Sequence, residues 1–292
     1  MLDKKDYIIK QLHRTHNKKY ENYVITRIWH LLNDIDIKII TQQYIVRPSG
    51  YALADLYFPQ FDLVVEVNES YHLKRKELDN IREKDIVNAV NFKVKVIDTS
   101  KDINSIHKQI DDLVDFVNTL KKKGFKKWDY ENEFNNKQYI DKGYIDVKDN
   151  AVFCRSVDAY NCFGNNYKAL MRGGAIHKYI DNVNIWFPKL YQNGEWINDI
   201  TFDENTIYES NVDFVKNAKA VKDWLATDRY IRYVFAQSKD NLGRTLYRFL
   251  GEYTLNREKT IKEQKAVWER TNTRVKTFKY KGSDNLWVIH WL

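Results

Sequence analysis

The residues best suited to chemistry are acids set into apolar strands. Asp55 sits in Ala52-Leu-Ala-Asp55, and Glu66, Asn68, Glu69 and His72 close the run Phe61-Asp-Leu-Val-Val-Glu-Val-Asn-Glu-Ser-Tyr-His72. Side chains alternate along a strand, so Asp62, Val64, Glu66 and Asn68 share one face while Leu63, Val65 and Val67 share the other. A carboxylate inside a Val-rich run is costly to bury unless something positive meets it. A hard divalent cation answers that need, because Mg²⁺ takes one or two carboxylates together with waters and phosphate oxygens. Metal-assisted hydrolysis of a phosphodiester is the chemistry such a site allows. The plainer alternative has Asp55 capping a strand and Glu66 paired with Arg82 or Lys84.

The elements that must position these acids read as helix, three strands, helix, strand, helix. Residues 3–33 carry apolar positions at helical spacing (Tyr7, Ile8, Leu12, then Tyr20, Tyr23, Val24, Ile28, Leu31, Leu32) around a polar break. Residues 37–46 read as a strand, Arg47-Pro-Ser-Gly50 as a turn, and the two acid-bearing strands follow. A charged helix is expected across 76–90, a strand over Phe92–Asp98 and an amphipathic helix over Ile103–Leu120. A composition shift at 121–138, beginning Lys121-Lys-Lys-Gly-Phe-Lys-Lys-Trp128, reads as a linker.

From about residue 139, short aromatic-rich segments alternate with turns: Val152–Ser156, Val183–Phe187, Glu195–Ile200, Ile207–Glu209, Tyr230–Gln237, Gly243–Leu255, Arg274–Tyr280 and Leu286–Trp291. Helices are expected at Asn161–Met171, Asp213–Leu225 and Lys259–Glu269. That spacing predicts a curved β-sheet or partial barrel. The chain of 292 residues thus divides into units at 1–120 and 139–292, an α/β (α+β) protein with a mixed sheet flanked by helices in its first unit.

Charge is unevenly distributed. Residues 1–120 balance 18 Lys and Arg against 18 Asp and Glu, so the whole excess of +8 lies in the second part. A basic, aromatic-rich half suits a polyanion. Cys154 and Cys162 give neither zinc spacing nor a disulfide framework. Without a long apolar run or a signal-peptide pattern, a soluble, cytoplasmic protein with no membrane association is expected.

In the second half, Trp186-Phe-Pro-Lys-Leu-Tyr191, Trp196-Ile-Asn198 and Glu209 form the most distinctive constellation. Trp196 and Asn198 point the same way on a strand, and Asp203-Glu-Asn205 is a turn that lets Ile207–Ser210 pair back and bring Glu209 alongside. A ring beside an amide and a carboxylate suits a flipped base: the ring stacks, and Asn and Glu address the hydrogen-bonding edge. Glu suits cytosine, whose N4 amino group is a donor, and a hydroxymethyl group is a second donor. Ordinary hairpin packing would use the same residues.

The acid pattern resembles the PD-(D/E)XK nucleases, and Val65-Glu66-Val67-Asn68-Glu69 followed by His72 is similar to their very-short-patch-repair (Vsr) branch. Asn68 stands where the wider superfamily has a Lys, which removes Lys-based activation of water, and Glu69 replaces a usual Gly. Taken with Trp186-Phe-Pro-Lys-Leu-Tyr…Trp196-x-Asn198…Glu209, nearly the whole chain resembles the Pvu-Rts type of hydroxymethylcytosine-dependent restriction endonuclease. In that family a Vsr-like nuclease precedes a fold similar to the SET-and-RING-associated (SRA) domain. The resemblance implies catalytic Asp55, Glu66, Asn68, Glu69 and His72, with Glu21 as a helix acid near the site. It implies Mg²⁺, with Mn²⁺ as a substitute, on Asp55, Glu66 and a backbone carbonyl near Val67. Arg47, Arg82 and Lys84 would contact phosphates. Trp196, Asn198 and Glu209 fall where the family's base pocket lies, with Tyr208, Trp186 or Phe187 as candidates for the second face of the base. The implied partner is double-stranded DNA carrying hydroxymethylcytosine or its glucoside, flipped by the reader and cut at a distance by a homodimer. Two rivals stay open: a Vsr-like nicking or mismatch-repair nuclease whose second domain only grips DNA, and a modified-base reader with a degraded nuclease core.

Overall fold

A computed structural model of the chain describes residues 3–47, 50–68, 84–89, 91–170 and 172–282. Helices α1 (Lys4–His13) and α2 (Lys19–Leu32) lead into a hairpin of β1 (Ile40–Arg47) and β2 (Gly50–Phe58), followed by β3 (Leu63–Asn68), β4 (Ile86–Val87), β5 (Lys93–Asp98) and α3 (Ile103–Lys122). The strands form one mixed sheet in the order β4-β1-β2-β3-β5, antiparallel through β1-β2-β3 and parallel at both edges. One face buries Leu56, Phe58, Leu63, Val65 and Val67 against Tyr7 and Ile8 of α1, Val24, Ile25 and Ile28 of α2 and Ile106, Ile110 and Leu113 of α3. The α3 stripe recurs at three- and four-residue spacing, and Asp102 caps its start by accepting from the Asn104 and Ser105 amides. The other face of the sheet, with Tyr57 and Val64, packs Ile40, Ile45, Val87 and Ala89.

Two sequence expectations change here. The helix expected across 76–90 lies largely outside the described residues, and its described end is strand: Ile86 and Val87 form β4, parallel to Tyr44 and Ile45. Two β-branched residues gain more from an edge ladder than from a frayed helix end. The linker expected at 121–138 is packed structure, with Trp128 and Tyr130 buried against Tyr7 in the first core. The Trp128 amide donates to Asp36 O, and its indole donates to Glu133, which is paired with Lys38.

The second part begins with α4 (Lys137–Lys142), β6 (Tyr144–Asp146), β7 (Val152–Phe153) and α5 (Ser156–Asn161). It continues through β8 (Gly174–Ile176), β9 (Val183–Trp186), β10 (Trp196–Ile200), β11 (Thr206–Asn211) and α6 (Phe214–Ala226). The chain then forms β12 (Ile231–Lys239), β13 (Thr245–Leu255), α7 (Arg257–Glu263), β14 (Ala266–Asn272) and β15 (Arg274–Lys276). The large sheet runs β10-β11-β14-β13-β12-β9-β8, with β7 on β13. It buries aromatic residues on one side (Phe153, Phe163, Phe187, Phe235, Phe249) and Ile207, Val234, Leu250 and Trp268 on the other.

Here too the expected helices shift. Of the helix expected at Asn161–Met171, residues 162–170 are not helical and Met171 lies outside the described residues: α5 ends at Asn161, Gly164 turns to φ +82°, and the Asn161 side chain bonds both the amide and the carbonyl of Tyr167 in place of a helical ladder. Lys259–Glu269 splits, because Gln264 at φ +52° stops α7 and Ala266-Val-Trp268 enters the sheet as β14, between β11 and β13. The expected strand Leu286–Trp291 lies outside the described residues. No helix among the described residues is long and apolar enough to cross a membrane.

Curvature comes from register shifts at Val234/Phe235 and Glu252/Tyr253. Beside the second lies Gly251 at φ +114°, where a Cβ would stand 2.6 Å from Asn272 O. Both the backbone angle and the space therefore demand glycine. Gly251→Ala should cost roughly 2 kcal/mol or more of stability, and thermal unfolding indistinguishable from the parent would contradict this account of the curvature.

Candidate functional site

The first site is built on β1, β2, β3 and α2. Leu56 pairs with Val65 and Tyr57 with Val64, so the same register places Asp55 across from Glu66. Gln42 lies between the pairs Thr41–Leu56 and Gln43–Ala54, hence beside Asp55 on the other flank. Asp55 Oδ2 accepts the Val67 amide at 2.8 Å. Asp55 Oδ1 accepts from the Gln42 amide nitrogen at 3.2 Å, and the same nitrogen donates 2.6 Å to Glu21 Oε1. Glu21, only 4% exposed, takes Lys18 on its other oxygen at 2.8 Å. Burial pushes the Glu21 carboxyl up to about 7 and the Asp55 charge adds to this, while the Lys18 and Gln42 contacts pull it down.

The structure therefore brings Glu21, Asp55 and the Val67 amide together, and places Glu66 across from Asp55 in the sheet; the Val67 group that meets Asp55 is its N–H, a donor, and not the carbonyl expected to bind a cation. The Glu66 carboxylate is clasped by Arg47, one of the expected phosphate ligands, whose Nε is buried without a partner among the described residues. Asn68 is exposed; its backbone carbonyl accepts from the amide and hydroxyl of Thr99. Glu69, His72 and Arg82 lie outside the described residues. Lys84 bridges to Lys239 of β12 and lines a cavity of about 180 Å³ with Arg14, Gln42 and Gln43. Arg14 and Gln42 were not singled out in the sequence, where a polar helix position and one of two adjacent glutamines carry no distinguishing pattern.

No cluster of three His, Cys, Asp or Glu side chains is assembled among the described residues. The donors present nonetheless suit a hard cation. Two carboxylates are held by a single amide, and one of them is driven toward its neutral form by burial and by the other. In the cation-free protein the sign of the linkage is fixed. A carboxyl whose folded value lies above its ordinary 4.5 binds more protons folded than unfolded, so stability is full below about 4.5 and falls as pH rises toward about 7. Melting temperatures measured in EDTA should decline over that window, and Glu21→Gln should flatten the decline. A parent profile with no slope there would contradict the burial argument.

The second site lies on β10 and β11. Asn198 faces Glu209 directly and Trp196 faces Asn211, so the three residues share one side of the sheet, as alternation predicts. Asn198 is buried; its Nδ2 donates to Lys189 O at 3.1 Å, while its Oδ1 has no partner among the described residues. Glu209 accepts from Arg232 at 2.7 Å and from the Trp268 indole at 3.3 Å. The Arg232 guanidinium lies 4.1 Å from the Trp186 ring centre and 3.7 Å from that of Trp268. Trp196 is 39% exposed and meets Trp224 edge-on at 6.1 Å.

Of the aromatic candidates for a second stacking face, Tyr208 alternates to the opposite side of β11, under Lys265, and Phe187 is buried in the aromatic core. Trp186 keeps to the Glu209 side but is covered by Arg232. Arg232, Trp268 and Trp224 were missed in the sequence, since the segment holding Trp268 reads as helix and the pairing of β11 with β14 is long-range.

The family model for the N-terminal part of PvuRts1 I-like restriction endonucleases matches residues 5–118, and the SET and RING associated domain model matches residues 138–277. No curated protein matches. Among solved structures, the chain is similar to "The 5-Hydroxymethylcytosine-Specific Restriction Enzyme AbaSI", with a TM-score of 0.81 and 37% sequence identity over 95% of this chain and 98% of that one. With a nuclease-type mixed sheet, an SRA-type curved sheet and identity at that level over nearly its full length, the chain belongs to the PvuRts1 I-like family of restriction endonucleases.

Proposed function

We propose that this chain flips 5-hydroxymethylcytosine, or its glucosylated form, out of double-stranded DNA and hydrolyses the DNA at a distance from it. Residues 1–120 are the cutting unit, 121–138 the connection and 139–292 the reading unit. The observation that carries the reading is the buried, unpartnered Asn198 Oδ1 set opposite Glu209. Leaving a buried acceptor unpaired costs about 1–3 kcal/mol, a cost that a ligand bringing a donor would recover. A cytosine bearing a hydroxymethyl group offers two donors, the N4 amino group and the hydroxyl, to an amide oxygen and a carboxylate. Trp196, exposed at the start of β10, supplies the stacking plane. Arg232, seated between two indoles, holds the Glu209 carboxylate in place.

In the cutting unit, Asp55, Glu66 and a backbone carbonyl near Val67 would hold Mg²⁺, or Mn²⁺ in its place, and Glu21 would add a further carboxylate. The bound ion would acidify a water and offset charge on the scissile phosphate. Arg47, released from Glu66, would then grip a backbone phosphate, together with Arg82 and Lys84. Glu69 and His72 are assigned to positioning the water and transferring a proton, and Asn68 to the position where relatives of this fold carry Lys. One such site cuts one strand, so a double-strand break calls for a homodimer acting in the cytoplasm.

Matched duplexes carrying cytosine, methylcytosine, hydroxymethylcytosine or its glucoside test the reading directly. Only the hydroxymethyl forms should be cut, and EDTA should stop the reaction; equal cutting of unmodified duplex would sink it. Asp55→Ala should abolish cleavage while leaving affinity for modified duplex intact, and retained cleavage would remove Asp55 from the site. Asn198→Ala should reduce the preference for hydroxymethylcytosine in equilibrium binding by roughly 1–3 kcal/mol. An unchanged preference would place the pocket elsewhere.

A further inference from the structure

We infer that Gln42 is a positioning residue of the acid site, the group that sets the gap between the Glu21 and Asp55 carboxylates. Its backbone adopts φ +54°, a left-handed conformation uncommon for a residue with a side chain, and it interrupts the β1–β2 ladder across from Asp55. Such a conformation persists only where its surroundings enforce it. The next residue does so: Gln43 Nε2 donates to the backbone carbonyls of Asp85 at 2.7 Å and Tyr44 at 3.0 Å, which pins the irregular segment.

The primary amide at Gln42 carries two hydrogens, one for each carboxylate. Glu21 Oε1 and Asp55 Oδ1 thus share one nitrogen, at 2.6 and 3.2 Å, and cannot lie farther apart than those two bonds allow. The remaining oxygen of each acid is fixed independently, by Lys18 on Glu21 and by the Val67 amide on Asp55. Two acids that would otherwise repel across a poorly solvated gap are therefore held facing each other across one donor, so that a divalent ion taking both as ligands would find them already convergent. The side chain itself touches neither phosphate nor water in this role. It prepares the ligands.

The inference rests on the reading of Glu21 and Asp55 as cation ligands, and the test separates the two. Calorimetric binding of Mg²⁺, and of Ca²⁺ as a second probe, is measured on the full chain without DNA for the parent, Asp55→Ala and Gln42→Leu. Leu, like Gln, is not branched at Cβ, so the backbone preference at this position changes little. Gln42→Leu should weaken divalent binding about tenfold while affinity for modified duplex, read by a separate sheet, stays within about twofold of the parent. In a Glu21→Gln background, where one of the two charges is gone, the same substitution should lose most of its effect, as a double-mutant cycle reports for residues acting on each other. If Gln42→Leu does not fold, Gln42→Met, of similar length and also without a donor, serves the same comparison. Parent-like cation binding by the Gln42 variant, or an undiminished penalty in the Glu21→Gln background, overturns the inference alone. A parent with no binding that Asp55→Ala removes overturns the cation site and the inference together.

Discussion

Two carboxylates held close in a poorly solvated cleft repel each other, and the architecture around β1, β2 and α2 exists in a form that contains that repulsion. The sheet supplies Asp55 and fixes one of its oxygens on the Val67 amide. The helix supplies Glu21 and, one turn earlier, Lys18. The strand on the other flank contributes an amide that bonds both acids. Glu66, next along the sheet, is balanced instead by a guanidinium. Each of these three acids is therefore matched by a donor or a cation from the protein itself.

The second sheet solves a related problem with aromatic planes. Glu209 is drawn into a half-buried position by Arg232, and Arg232 is tolerated there because Trp186 and Trp268 present their faces to it. Burial alone pushes that guanidinium toward losing its proton, and the Glu209 charge opposes the shift. Glu209 thus keeps its orientation while Asn198, directly opposite, keeps an unpaired acceptor. One satisfied and one unsatisfied acceptor face each other across this strand pair.

The two sheets are joined through polar contacts. Arg248 of β13 makes a two-pronged, buried ion pair with Asp85 at 2.7 and 2.6 Å, Ser238 reaches the same carboxylate, and the Asp85 amide donates to Lys239 O. Asn241 exchanges bonds with Gln11 and the Thr41 carbonyl. Thr41 and Gln43 flank Gln42, so the contacts that seat the second sheet end on the residues bordering the acid pair. A buried pair of this kind stabilises little in net terms but penalises any arrangement that separates its members.

The acid-bearing strands, the hairpin that brings Asn198 opposite Glu209 and the amphipathic helix after β5 were legible because each depends on local period and turn chemistry: strand alternation for Glu66 and Asn198, an apolar stripe for α3. What escaped was set by distant partners. Ala266-Val-Trp268 became strand because β11 and β13 lie on either side of it, Ile86-Val87 because β1 offers a free edge, and Trp128 became core because Tyr7 waits for it. Gln42 is the clearest case. Side-chain type and period 2 were enough to set carboxylates into apolar strands, where they need positive company. Which groups meet them depended on the folded arrangement, because Lys18, Gln42 and Arg47 reach the acids through a helix packing angle and one left-handed residue that leave no mark on local composition.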